Sequence, residues 1–114
     1  MAIHLIRDRA TPEQIGEMLK EYDILIKVAV DVEQEILVGG GEYHADCEEV
    51  LLNEGSRQRN IWGANWDART GAVECEAMLN IRPRDNNFST AIQDPNICQR
   101  VVEITQRRLG TAHG

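Results

Sequence analysis

No apolar run in this 114-residue chain approaches the roughly 18 residues that a membrane-spanning helix needs, so no membrane partner is expected. The first residues, Met1-Ala2-Ile3-His4-Leu5-Ile6-Arg7, lack the basic start and the apolar stretch of about 7 to 15 residues of a secretory signal, and a cytoplasmic location is predicted. Positive charge is also scarce: 12 Lys+Arg stand against 19 Asp+Glu, a formal net charge of -7. Such a field repels a phosphate backbone at long range and argues against general nucleic-acid binding, although it leaves room for a local basic patch. Cysteine is limited to Cys47, Cys75 and Cys98, an odd set without C-x-x-C spacing. That excludes a paired zinc or redox motif and suits reduced thiols. There is no internal repeat and no low-complexity tract.

What is present reads as one α+β domain over residues 1–114, long enough to bury about two-thirds of its unfolded surface. After an N-terminal segment, residues 1–9, Thr11-Pro12-Glu13-Gln14 has the form of a capping box, and Ile15, Met18, Leu19 and Tyr22 continue at helical spacing. Ile24 to Val30 alternates as a strand, Asp31 to Glu35 reverses the chain, Ile36-Leu37-Val38 returns, and Gly39-Gly40-Gly41 ends it. Residues 42–52 have two readings. Asp46-Cys47-Glu48-Glu49 suits an acidic helix start with a stop at Gly55. The preferred reading is a strand turning at Asn53-Glu54-Gly55-Ser56. Further strands follow at Asn60 to Trp66 and Val73 to Ile81, the latter with a clean period of two. A polar, structureless connector, residues 82–94, leads to a helix opening at Asp94-Pro95, carrying Ile97, Cys98, Val101, Val102, Thr105 and Leu109 as its stripe and stopping at Gly110. Residues 110–114 read as a frayed tail. The expected architecture is an antiparallel meander of about five strands, with the N- and C-terminal helices packed on one face.

If residues 42–52 form a strand, His44, Asp46 and Glu48 share a face. A histidine and two carboxylates there can bind a divalent metal or share a proton transfer. The plainer account is a solvated face with ion pairs to Lys27, Arg57 or Arg59. H-x-D supplies two ligands at most, so no metal is assigned and no cofactor is expected. A Cys47 nucleophile beside His44 would need the helical reading. Trp62 and Trp66 share a face and can stack a planar ligand, or simply pack in the core. Cys75 and Cys98 fall on apolar faces as small hydrophobes. The connector holds the best site: Arg82 and Arg84 present planar forks for a carboxylate or phosphate, with Asn86, Asn87 and Ser89 as added donors. The competing account has these residues capping carbonyls, pairing with acids and making turns.

Residues Gly39 to Leu52, Gly55-Ser56, Ile61-Trp62-Gly63-Ala64-Asn65, Asn80-Ile81-Arg82-Pro83-Arg84 and Asp94-Pro95 resemble a small uncharacterised family of prokaryotic domains. The likeness runs from about Ile24 to Leu109 and implies no activity, substrate or catalytic residue. The leading expectation is a non-enzymatic binding or interaction domain, homodimeric through an open sheet edge, that meets an anionic small molecule or a protein partner. The alternative is a small metal-assisted hydrolase using His44, Asp46 and Glu48, with Arg82 and Arg84 orienting an anionic substrate. The two differ on whether those groups converge in one pocket.

Overall fold

The structure is a computed structural model that describes residues 2–111. Among the described residues three α-helices and five strands appear: β1 (His4–Ile6), α1 (Pro12–Met18), β2 (Leu25–Asp31), β3 (Ile36–Gly39), α2 (His44–Asn53), β4 (Ile61–Asp67), β5 (Val73–Glu74) and α3 (Pro95–Leu109). The strands make one antiparallel sheet in the order β1-β3-β2-β4-β5. The α+β class and the five-stranded sheet with terminal helices are as the sequence predicts.

The sheet is covered on both faces, and the period of two in β2 explains how. Ile26, Val28 and Val30 point to one side, where they join Leu37, Trp62, Ala64 and Trp66 under Met18 of α1 and Val101, Ile104 and Leu109 of α3. Ala29 points to the other side, with Ile36, Val38 and Ile61 beneath Cys47 and Leu51 of α2. The capping box forms as read: the Thr11 hydroxyl accepts the Gln14 N–H at 3.1 Å and the Gln14 side chain accepts the Thr11 N–H at 2.9 Å. Met18 then seats against Gly40, whose φ of +98° and lack of a Cβ are both required, since a Cβ there would lie 2.2 Å from the Ala2 carbonyl oxygen.

Residues 42–52 are the main correction. They hold α2 and no strand, because Cys47, Val50 and Leu51 stand at i, i+3 and i+4 and bury one helical stripe. Asp46 Oδ2 accepts the Tyr43 N–H at 3.0 Å, an acidic cap of the helix start. With a helix crossing between β3 and β4, β4 lies beside β2, in register Val28↔Ala64 and Ala29↔Gly63, instead of continuing outward from β3. The fifth strand is β1, which forms within the N-terminal segment and pairs with β3.

A second correction concerns Val73 to Ile81. The ladder ends at Glu74, Glu76 keeps an isolated bridge to Ala91, and Met78–Asn80 is a 3-10 turn. Alternation holds through Cys75 and Ala77, both buried, but Ile81 is exposed. Beyond that point the open edge of β4 is satisfied by a side chain: the Gly63 N–H donates to Asn80 Oδ1 at 2.8 Å, and Asn80 Nδ2 donates to the Gly63 carbonyl at 3.0 Å. Asn80 thereby replaces a strand's peptide group. Trp66 Nε1 donates to the Gly110 carbonyl at 2.9 Å, which ties the end of α3 to the sheet. Of the tail expected to fray, residues 112–114 lie outside the described residues.

Candidate functional site

The first turn of α2 stands over the end of the sheet where β2 and β4 pair. His44, the first helical residue, turns its ring inward, and Nε2 lies 2.9 Å from both the Ala64 carbonyl and Asn65 Oδ1. Asn65 Nδ2 donates elsewhere, to Glu74 Oε1 at 3.2 Å and the Glu76 carbonyl at 3.4 Å, so Oδ1 is the atom that faces His44. Both neighbours of Nε2 are therefore acceptors. Nε2 carries the proton, and Nδ1 keeps a lone pair with no bond to the described residues. Burial holds the imidazole below its ordinary pKa, and the nearby Lys27 charge adds to this against the two hydrogen bonds. A neutral ring at pH 7 presents that lone pair as an acceptor.

One helical turn on, Glu48 joins His44 at the wall of the same cleft. Its Oε2 is buried and accepts no hydrogen bond among the described residues. Across from them Lys27 projects from β2, its ammonium 4.7 Å from the Tyr22 ring centre and 5.7 Å from that of Tyr43. It makes no ion pair among the described residues. The Tyr22 hydroxyl donates to the Glu42 carbonyl at 2.7 Å, fixing one of the two rings. Met78 and Leu79, from the 3-10 turn, supply an apolar wall; Met78 is 79 % exposed. The cavity measures about 520 Å³. It offers a cation, two acceptors and an apolar wall, a set that recognises a small polar molecule with an apolar part.

The structure divides the residues that the sequence singled out. His44 and Glu48 share the cleft, whereas Asp46 is held by the Tyr43 N–H, and no group of three or more His, Cys, Asp or Glu side chains able to hold a metal occurs among the described residues. Cys47 is buried with its thiol 3.6 Å from the Lys27 carbonyl, and burial pushes its pKa up to about 11, which disfavours the thiolate that a nucleophile needs. Trp62 and Trp66 are core residues. Neither offers an open face to a planar ligand.

Arg82 is also structural in large part. Its guanidinium lies 4.0 Å from the Trp62 ring centre, donates to the Gln58 carbonyl and sits 3.5 Å from Asp85. Burial lowers its pKa, opposed by the charges of Asp85 and Glu48. Arg84 is exposed and lines, with Arg82, a separate cavity of about 310 Å³. Asn86 takes a left-handed turn with φ of 58°. Asn87 is buried: Nδ2 reaches the carbonyls of Asn80 at 2.8 Å and of Ser89 and Ala91 at 2.9 Å, while Oδ1 accepts the Gln93 N–H at 2.8 Å. The Ser89 hydroxyl accepts the Ala91 N–H at 3.1 Å. Asn87 and Ser89 thus close the connector upon itself, and His44 and Arg82 line different cavities. Tyr43, Met78 and Leu79 are site residues that sequence reasoning passed over, and Lys27 entered it only as an ion-pair partner of the His44 face. The one available signal was a lysine in the middle of an otherwise apolar strand.

A family model described as "Protein of unknown function (DUF5674)" matches residues 4–108. No curated protein and no solved structure matches the chain.

Proposed function

The chain belongs to this DUF5674 family of proteins of unknown function, so its role is read from its own geometry, and we propose that it is a binding domain for a small organic anion that also carries a hydrogen-bond donor. The observation that carries this reading is Lys27: a strand lysine framed by two tyrosine rings, without an acidic partner among the described residues, at the wall of a cleft. A ligand carboxylate or phosphate meets that ammonium, a ligand amine or hydroxyl meets His44 Nδ1 or the Glu48 carboxylate, and its apolar part lies on Met78 and Leu79. The anion site therefore sits at the start of α2, away from the connector that first suggested one. The hydrolase alternative requires His44, Asp46 and Glu48 to converge, while Asp46 is committed to the cap of its own helix.

Calorimetric titration with hexanoate, phenylalanine and phenyl phosphate is the test. At least one of these probes binds the parent, Lys27→Gln weakens it by about tenfold to a hundredfold, the cost of one charge-assisted hydrogen bond, and Arg84→Gln leaves it unchanged. Equal loss in both variants, or no binding by any probe, overturns the reading. The setting we infer is a reduced prokaryotic cytoplasm, consistent with three free thiols. The sheet also leaves β1 and β5 as open edges, and self-association through one of them is the expected way to cover it. Light scattering at high concentration gives a dimer mass on this account; a strict monomer contradicts it.

A further inference from the structure

Cys75 and Cys98, 23 residues apart in the chain, are brought together with their sulfur atoms in contact at 2.6 Å. Cys75 follows β5 and is buried at the margin of the core; Cys98 lies in the first turns of α3 and is partly exposed. The surroundings hold the pair together. The Ile92 N–H donates to the Cys75 carbonyl at 3.1 Å, the Cys75 thiol points at the Cys98 carbonyl at 3.6 Å, and the Asp94 side chain caps the helix that carries Cys98. Two thiols in contact, one reachable from solvent and the other behind it, are the arrangement of an attacking and a resolving cysteine.

We propose that Cys75 and Cys98 are a redox-active pair that closes reversibly to a disulfide by exchange with a low-molecular-weight disulfide such as oxidised glutathione. Cys98 gives up its proton and its thiolate attacks one sulfur of the small disulfide, breaking that S–S bond and releasing one small thiolate, which takes the proton. Cys75 then loses its proton and attacks the Cys98 sulfur of the mixed disulfide, expelling the second small thiol. Two protein thiols are oxidised, and one small disulfide is reduced to two thiols. The order follows from access: Cys98 is the partly exposed member of the pair, whereas Cys75 is buried, and burial, and then Cys98 itself, raise the Cys75 pKa far above the usual thiol range. Proximity in the mixed disulfide compensates for the reluctance of Cys75. The bond encloses the whole polar connector, tying the segment after β5 to α3.

The experiment exposes native protein to oxidised glutathione, traps thiols by alkylation under denaturing conditions, and reads intact mass and a peptide map. The parent is expected to lose two hydrogens, to show a Cys75–Cys98 cross-link and to retain a single alkylatable thiol, Cys47. Its Tm rises by about 10 °C, as closing a loop of this length predicts, and dithiothreitol reverses the change. Cys75→Ala, which keeps the site apolar, stops at one glutathione adduct on Cys98. Three alkylatable thiols after exposure, a persistent glutathione adduct on the parent, or a cross-link to Cys47 would overturn the proposal.

Discussion

Asn80→Ala lowers Tm by about 15 °C, the largest expected effect of any single side-chain truncation outside the apolar core. Asn80 is fully buried and does for β4 what a neighbouring strand would otherwise do. Its amide accepts the Gly63 N–H and donates to the carbonyls of Gly63 and Thr90, each within 3.0 Å. Truncation leaves the Gly63 N–H and carbonyl without partners at a place where water has little access, while the Thr90 carbonyl keeps the Ala77 N–H at 3.0 Å. An orphaned buried group costs about 1 to 3 kcal/mol, so a loss of about 3 to 4 kcal/mol is expected in all, from a total of about 5 to 15 kcal/mol for a domain of this kind. Asn80→Asp separates the parts: Oδ1 still accepts from Gly63, but the two donated bonds vanish and a charge faces two carbonyls. Its unfolding midpoint in urea should fall at least as far as that of the alanine variant. An unfolding free energy within about 0.5 kcal/mol of the parent for either variant would show that water or a local shift replaces the amide.

The second large effect belongs to Asp31, at the end of β2, whose carboxylate is 1 % exposed. Oδ2 accepts the Ser56 hydroxyl at 2.6 Å and the Gln34 amide at 2.9 Å, while Oδ1 accepts the N–H groups of Glu33 at 2.9 Å and Gln34 at 3.0 Å. These four bonds fix the β2–β3 reversal and anchor the segment after α2 to it. Asp31→Ala is expected to cost about 3 kcal/mol, close to 10 °C in Tm. Burial by itself pushes the Asp31 pKa up, but the hydrogen bond from Ser56 and those from Gln34 and Glu33 outweigh it, and the net value lies below the ordinary 3.8. Because the folded pKa is the lower one, the contribution to stability is complete above the unfolded value and is lost as pH falls through the folded value. Urea unfolding of the parent and of Asp31→Asn should therefore give curves that are far apart at pH 7 and converge below about pH 4. A gap that stays constant down to pH 2 would contradict the role given to the charged form.

The ends of the chain's regular elements were the most legible parts of the sequence. Thr11-Pro12-Glu13-Gln14 and Asp94-Pro95 start helices through local bonds that depend on few distant residues, and β2 and β3 follow from β-branched alternation. α2 was misread because its polar residues mimic a strand: His44, Asp46 and Glu48 are two apart, while the informative set, Cys47, Val50 and Leu51, is only three residues long. The end of the Val73 to Ile81 run was illegible for another reason. Its alternation continues to the last residue, but the backbone leaves the ladder because Asn80 has a partner 17 residues earlier, at Gly63. β1 has three residues and exists through its pairing with β3.

The site was legible in part. His44 and Glu48 were marked together with Asp46 from a strand argument, yet the two come together through the i, i+4 geometry of a helix. Lys27, Tyr22 and Tyr43 converge only once β2, the turn after α1 and the start of α2 are assembled, and Cys75 meets Cys98 only when α3 docks. Arg82 and Asn87, which looked suited to a ligand, serve the chain itself, one on Trp62 and the Gln58 carbonyl, the other on the connector's own carbonyls.

The central claim is that the cleft at the start of α2 receives an organic anion, and amide chemical shifts during titration with the tightest of the three probes test it most directly. The account predicts saturable changes at Lys27, Tyr43, His44, Ala45, Glu48 and Leu79, which disappear in Lys27→Gln. Changes confined to Gln58 and the residues around Arg82 and Arg84 would contradict it and return the anion to the connector.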